Sequence, residues 1–238
     1  RQGAGHRLAG EWETRQGRAG LSFVSDVAEP KFYPSAEERI NIASHAVGLL
    51  LSIAGLLALV ARALLHGNTL QLVSCSVFAV SMITLYTASV AYHSARAPVL
   101  RTRLRTVDHA AIYVLIAGTY TPFALVTLQG TAGWVLFGVI WGMAVTGIAL
   151  KLFFTGRYKL FSTLMYVFMG WLIVFFIKPL VASFPPAGLA WLLAGGIAYT
   201  LGAVLYSIPR VPFHHAVFHV FVLLGTTCHF VAVYFYVL

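Results

Sequence analysis

The chain has 238 residues, of which 59% are hydrophobic and 10% charged, with a net charge of +9. A soluble domain is about one-quarter charged, so this composition excludes a water-soluble enzyme or binding module. The basic surplus falls in short clusters between long apolar segments, a placement that argues against a nucleic-acid interface.

Residues 1–36 are expected to form a cytoplasmic tail, mobile or partly ordered. The first 40 residues carry six basic and six acidic residues and no long apolar run. The apolar stretch that should follow the first charges of a secretory signal is missing, so none is read there. Ser35 and Glu38 have the spacing of a capping box, with Ser35 as N-cap of a lead-in to the first span.

From residue 37 to 238 the pattern is that of an all-α membrane domain. Apolar segments of about 20 residues recur, each long enough to cross a bilayer core of roughly 30 Å. Seven spans are predicted, at about 42–62, 70–93, 109–128, 132–152, 160–182, 187–208 and 214–236. Short links such as Gln129-Gly130-Thr131 and Ser183-Phe184-Pro185-Pro186 force sequential spans to pack antiparallel. Pro122, one turn beyond Gly118, predicts a kink or opened backbone in span three. Cys75 and Cys228 both fall inside spans, where they read as small buried apolar residues rather than a disulfide.

The basic residues alternate by side. Arg96, Arg101, Arg103 and Arg105 lie between spans two and three, Lys151, Arg157 and Lys159 between four and five, and Arg210 before span seven. With the six of the N-terminal region they make 14, against Arg62 and Lys178 on the other side. By the positive-inside rule the N-terminus is cytoplasmic and the C-terminus external, in a multi-pass protein of the inner (plasma) membrane. The basic links are expected to rest against anionic headgroups.

One carboxylate stands out. Asp108 is the sole acidic residue after Glu38. An ionisable group in such a stretch is a functional-site hypothesis by default, and its partners should be sought. His45 starts span one, His93 ends span two, Asp108 opens span three, and His214, His215 and His219 lie in the first turns of span seven. All reach one predicted layer on the cytoplasmic side.

His215 and His219 are four residues apart and share a helix face. Two such imidazoles can grip one metal ion, and His93 is the best third ligand. Three histidines leave a position for water, and zinc is the natural ion. Asp108 can accept or orient a proton, and Ser89, one turn before His93, can hydrogen-bond the water or a developing oxyanion. The plainer readings are that Asp108 pairs with Arg105 or caps its helix, and that Ser89 bonds back to the carbonyl of Leu85. His109, His214 and His229 are read as structural; His229 lies ten residues beyond His219, roughly 15 Å along the axis. Asn41 and His45 are read as a polar packing network.

At these residues the chain resembles the bacterial hemolysin III family, which belongs with the progestin and adipoQ receptors, including the adiponectin receptors. Three motifs carry the resemblance over residues 37 to 238. They are Glu38-Arg39-Ile40-Asn41-Ile42-Ala43-Ser44-His45, then Ser89-Val90-Ala91-Tyr92-His93 followed by Asp108-His109, then His215-Ala216-Val217-Phe218-His219. Ile116-Ala117-Gly118-Thr119-Tyr120-Thr121-Pro122-Phe123 also matches the hemolysin III subgroup. The resemblance implies seven helices with a cytoplasmic N-terminus, a zinc on the histidines matching His93, His215 and His219, and Ser89 and Asp108 beside it. In the receptor branch it implies hydrolysis of lipid amides such as ceramide; some bacterial members are linked to membrane lipid homeostasis.

The function expected is therefore a zinc-dependent hydrolase of membrane lipid amides or esters, with membrane lipids as its partners. The alternatives are a non-catalytic sensor with a structural zinc, and a protein with a cytolytic phenotype. A secreted pore-former is disfavoured by seven permanent spans.

Overall fold

A computed structural model describes residues 30–154, 159–208 and 210–238 of the chain. The expectations for Arg157 and for most of the tail lie outside the described residues. The rest is helical: α1 (Ser35–His66), α2 (Thr69–Ser94), α3 (Pro98–Pro122), α4 (Gly130–Phe154), α5 (Lys159–Gly170), α6 (Ile177–Ser183), α7 (Pro186–Tyr206) and α8 (His214–Tyr236). They supply seven spans long and apolar enough to cross a bilayer, so the chain is a multi-pass membrane protein.

Local chemistry explains most helix ends. Asn68 and Gln71 form a reciprocal capping box that starts α2. Pro98 opens α3 at its first turn, where its missing N–H costs nothing. This start lies well before the predicted 109, so Asp108 sits inside α3 and does not cap it. The apolar stretch marked only the membrane-buried part of a longer helix.

The expected cap of α1 is also corrected. The helix begins at Ser35 with Pro34 in the cap position and no side-chain cap bond. Glu38 is drawn instead to a guanidinium and an imidazole, partners that form stronger, charge-assisted bonds.

Pro122 opens the backbone as expected. Lacking an N–H, it cannot close the α-helical turn, and Phe123–Leu128 continues as a π-helix.

Span five is broken, where an unbroken helix was predicted. α5 ends at Gly170, Leu172–Phe176 is a 3₁₀ segment, and α6 completes the crossing. Pro179 removes the bond to the carbonyl of Phe175 and crowds it, which unsettles the turn before it. Groups freed at the break are met from α3: the Tyr120 hydroxyl donates to the Gly170 carbonyl at 2.8 Å and accepts from the Ile173 N–H at 3.0 Å. Trp171 Nε1 donates to Thr200 Oγ1 on α7 at 3.0 Å.

Neighbouring helices pack in a chain: α4 on α3, α3 on α2, α2 on α1, α1 on α8 and α8 on α7. Span five leans on α3 and α7 with few contacts, and only 11% of its most apolar window is buried, against 61% for span three. One core, with Leu59, Phe78, Met82, Tyr86 and Val233, fills the space among α1, α2 and α8. A second, with Tyr113, Leu136, Ile140 and Met169, joins α3, α4 and α5. Cys75 and Cys228 are free and buried, as expected.

Replacing Tyr120 with Phe leaves the Gly170 carbonyl and the Ile173 N–H without their partner. The expected cost is about 1–3 kcal/mol. Hydrogen exchange across residues 170–176 should rise in the purified protein. Unchanged exchange there would show that the hydroxyl does not hold span five.

Candidate metal centre

Residues 92–101 set the position of the first histidine. Arg101, 1% exposed, lies just after α2 in the chain and folds back over its end. Its Nη1 donates to the carbonyls of Tyr92, His93 and Ala95 at 3.2, 3.2 and 3.0 Å. These are orphan acceptors that a helix leaves at its C-terminus. Nη2 pairs with Glu38 Oε1, and Nε donates to the carbonyl of Lys31 at 2.7 Å. Only a planar fork of donors can serve all three directions at once.

Glu38 carries the constraint into the site. Its Oε2 lies 2.7 Å from His93 Nδ1 and 3.3 Å from Asn41 Nδ2. With Nδ1–H committed to the carboxylate, Nε2 of His93 presents a lone pair. His219 is oriented the same way, its Nδ1 meeting the carbonyl of Asn41 at 3.3 Å. α8 is seated by its own backbone, the His215 N–H donating to Glu37 Oε1 at 3.2 Å.

The three Nε2 atoms converge. His215 Nε2 is 3.1 Å from His93 Nε2 and 3.1 Å from His219 Nε2. Two of these nitrogens already have their protons placed on the other ring atom, so lone pairs face each other in a buried pocket. A cation at their focus turns that repulsion into ligation. Tetrahedral coordination at about 2.0–2.1 Å spaces nitrogens about 3.3 Å apart, close to what the rings show. Among the described residues this group comprises these three histidines, all buried, and no carboxylate. A position is therefore left for a further ligand.

Aromatic stacking fixes the ring planes. His45 lies flat on His219, with centroids 3.6 Å apart and planes 7° apart. Tyr33, from the segment before α1, stacks on His215 at 4.5 Å and 15°. Burial, with the phenols of Tyr206 and Tyr92 nearby, pushes the Tyr33 phenol well above its ordinary range, so it stays neutral.

Asp108 and Ser89 stand beside the histidines. His45 Nδ1 lies 2.7 Å from Ser89 Oγ, and Asp108 is close to the Ser89 hydroxyl. Ser89 is fully buried and absent from the cavity wall, so it stands behind Asp108 rather than facing a ligand. The plainer expectation for Ser89, a bond to the Leu85 carbonyl, gives way to the His45 contact.

A cavity of about 160 Å³ begins at Asp108, His215 and His219 and runs between α3, span five, α7 and α8. Its body is lined by apolar side chains such as Ile112, Leu115, Val167 and Val222. His229 lines its deep part, donating from Nε2 to the Leu192 carbonyl at 3.1 Å, away from the histidine cluster.

The sequence brought out His93, His215, His219, Asp108 and Ser89, and the structure gathers all five. It did not bring out Arg101 and Glu38 as supports. Glu38 had a visible signal, since it heads the motif that contains Asn41 and His45. Arg101 had none, because it looked like one more basic residue of a link.

Comparison with known proteins follows the same residues. A family model described as "Haemolysin-III related" matches residues 33–230. "Hemolysin-3" of Bacillus cereus is 46% identical over 202 residues, covering 85% of this chain and 92% of that protein. "Hemolysin-3 homolog" of Bacillus subtilis (strain 168) is 45% identical over 200 residues, covering 84% and 94%. "Monocyte to macrophage differentiation factor" of Homo sapiens is 27% identical over 190 residues, covering 75% and 78%.

Replacing Glu38 with Gln removes the charge that holds the His93 tautomer. Metal affinity should fall about 10–100-fold, measured by competition with a chromophoric chelator. An affinity within twofold of the original would mean that Glu38 does not orient the ligand.

Proposed function

The chain belongs to the haemolysin-III related family, and we propose that it is a zinc-dependent hydrolase of membrane lipid amides or esters, acting in the plasma membrane from the cytoplasmic side. The observation that carries this reading is a three-histidine focus with an open position, next to a buried carboxylate, at the head of an apolar cavity.

His93, His215 and His219 would hold the ion, and imidazole donors suit zinc. When bound, zinc supplies Lewis acidity at its open position, polarising a carbonyl and acidifying water. The chain's own groups do the rest. The cavity wall takes an acyl chain and keeps bulk water from it. Asp108 accepts the proton of the attacking water and returns it to the leaving amine or alcohol. Ser89, bonded to His45, stands beside the carboxylate.

A second reading is a non-catalytic sensor in which the metal clamps α2 to α8. The Tyr33 ring over His215 favours it, because the stack covers one side of the centre. Lysis, which the names of the Bacillus relatives suggest, fits either reading as a consequence of disturbed lipids.

The two readings separate in one experiment on purified protein in lipid nanodiscs. Asp108→Asn should keep its metal and lose about 100-fold or more of lipid hydrolysis, the size of a missing general base. His219→Ala should lose both. A wild-type protein that binds zinc and releases no fatty acid from any amide or ester lipid would leave the sensor reading standing.

A further inference from the structure

The positive charges expected to rest on lipid headgroups do not share one fate. Arg96, Arg103 and Arg210 are exposed, whereas Arg105 and Lys151 are buried at 8% and 7% exposure. Lys151, near the end of α4, turns inward and donates from Nζ to Ser162 Oγ on α5 at 2.7 Å. Its ammonium lies 5.9 Å from the centre of the Tyr166 ring. Lys151, Ser162, Thr163 and Tyr166 all line the cavity whose wall also holds Asp108 and His109. His109 is pinned by both its ends, Nδ1 at 2.6 Å from the Arg105 carbonyl and its own carbonyl accepting from Tyr166 at 3.0 Å.

An ammonium is costly to desolvate inside a protein. An ammonium flanked by hydroxyls on a cavity wall offers the donors that suit a phosphate oxygen. The Ser162 hydroxyl accepts from Lys151 and so keeps its own O–H to donate. The remainder of the cavity is apolar, which selects an amphiphile over a free anion.

We propose that Lys151, Ser162 and Thr163 form a subsite for the phosphodiester of a glycerophospholipid whose acyl chain occupies the cavity. Naming this lipid as the substrate rests on the hydrolase reading; its binding does not. In that lipid the ester carbonyls are only a few bonds from the phosphorus, and His109 and Asp108 bridge the corresponding stretch of wall. Hydrolysis would join the oxygen of water to the acyl carbon and break the acyl C–O bond. Asp108 would pass the water's proton to the leaving glyceryl oxygen, giving a fatty acid and a lysophospholipid.

Native mass spectrometry of the metal-loaded protein in detergent tests this with three probes: dioleoyl phosphatidylglycerol, dioleoylglycerol and inorganic phosphate. Phosphatidylglycerol should bind about ten-fold more tightly than dioleoylglycerol, the worth of one charge-assisted hydrogen bond. Lys151→Gln should erase that preference, keep its metal and leave dioleoylglycerol binding unchanged. Ser162→Ala should weaken the preference in the same direction, and serves if the lysine variant does not fold. Excess inorganic phosphate should displace little lipid. Full displacement by phosphate, or equal binding of the two lipids, overturns the phospholipid subsite, as does a preference that survives both variants. His219→Ala should retain the preference without metal. Intact, lysine-dependent binding with no hydrolysis by the wild type would sink the hydrolase reading and leave the subsite in place.

Discussion

The Arg101 guanidinium binds the last carbonyls of α2, the carboxylate of Glu38 on α1 and the carbonyl of Lys31 in the segment before it. A charge so deeply buried is tolerated only because its donors point at acceptors in three directions. In return it settles where α2 stops, how α1 meets it and which way Glu38 faces. His93 follows from Glu38, and the focus of imidazoles follows from His93. Remove the guanidinium and three helix-end carbonyls lose their partner, while a carboxylate beside the histidines loses its countercharge.

The supports of the histidines come from different parts of the chain and use different physics. His93 is set by a charge, His219 by a backbone carbonyl and a flat stack, and His215 by a helix terminus and the Tyr33 ring. Asn41 contributes twice, its amide to Glu38 and its carbonyl to His219. Such mixed support leaves little freedom in the rings, the condition for a site with a preset ligand geometry.

The spans and the ligand histidines were legible because they rest on strong, local signals. A run of 20 apolar residues has one meaning in a bilayer, and histidines four apart share a face whatever else happens. The polar supports were not, because charge in a sequence does not say where its end points. Arg96, Arg101 and Lys151 read alike as topological markers, yet one is in the open, one grips a helix end and one lies against Ser162. Asp108 shows the intermediate case. Its company was legible from its neighbours, but its helix starts at Pro98, so the residue that seemed to begin a span lies well inside a helix. Likewise Pro122 announced an opened backbone, whereas the break in span five took shape through Tyr120, which only the fold brings near.

The centre joins residues 122 positions apart, and α1 touches α8 to close the bundle. A ribosome delivers His93 to the membrane long before His215 exists. Spans one to three can assemble early, with Arg101 already seated, but they hold a single imidazole of the three. An ion on these three histidines could be gripped only after α8 is threaded, so its uptake would follow the insertion of every helix that carries a ligand.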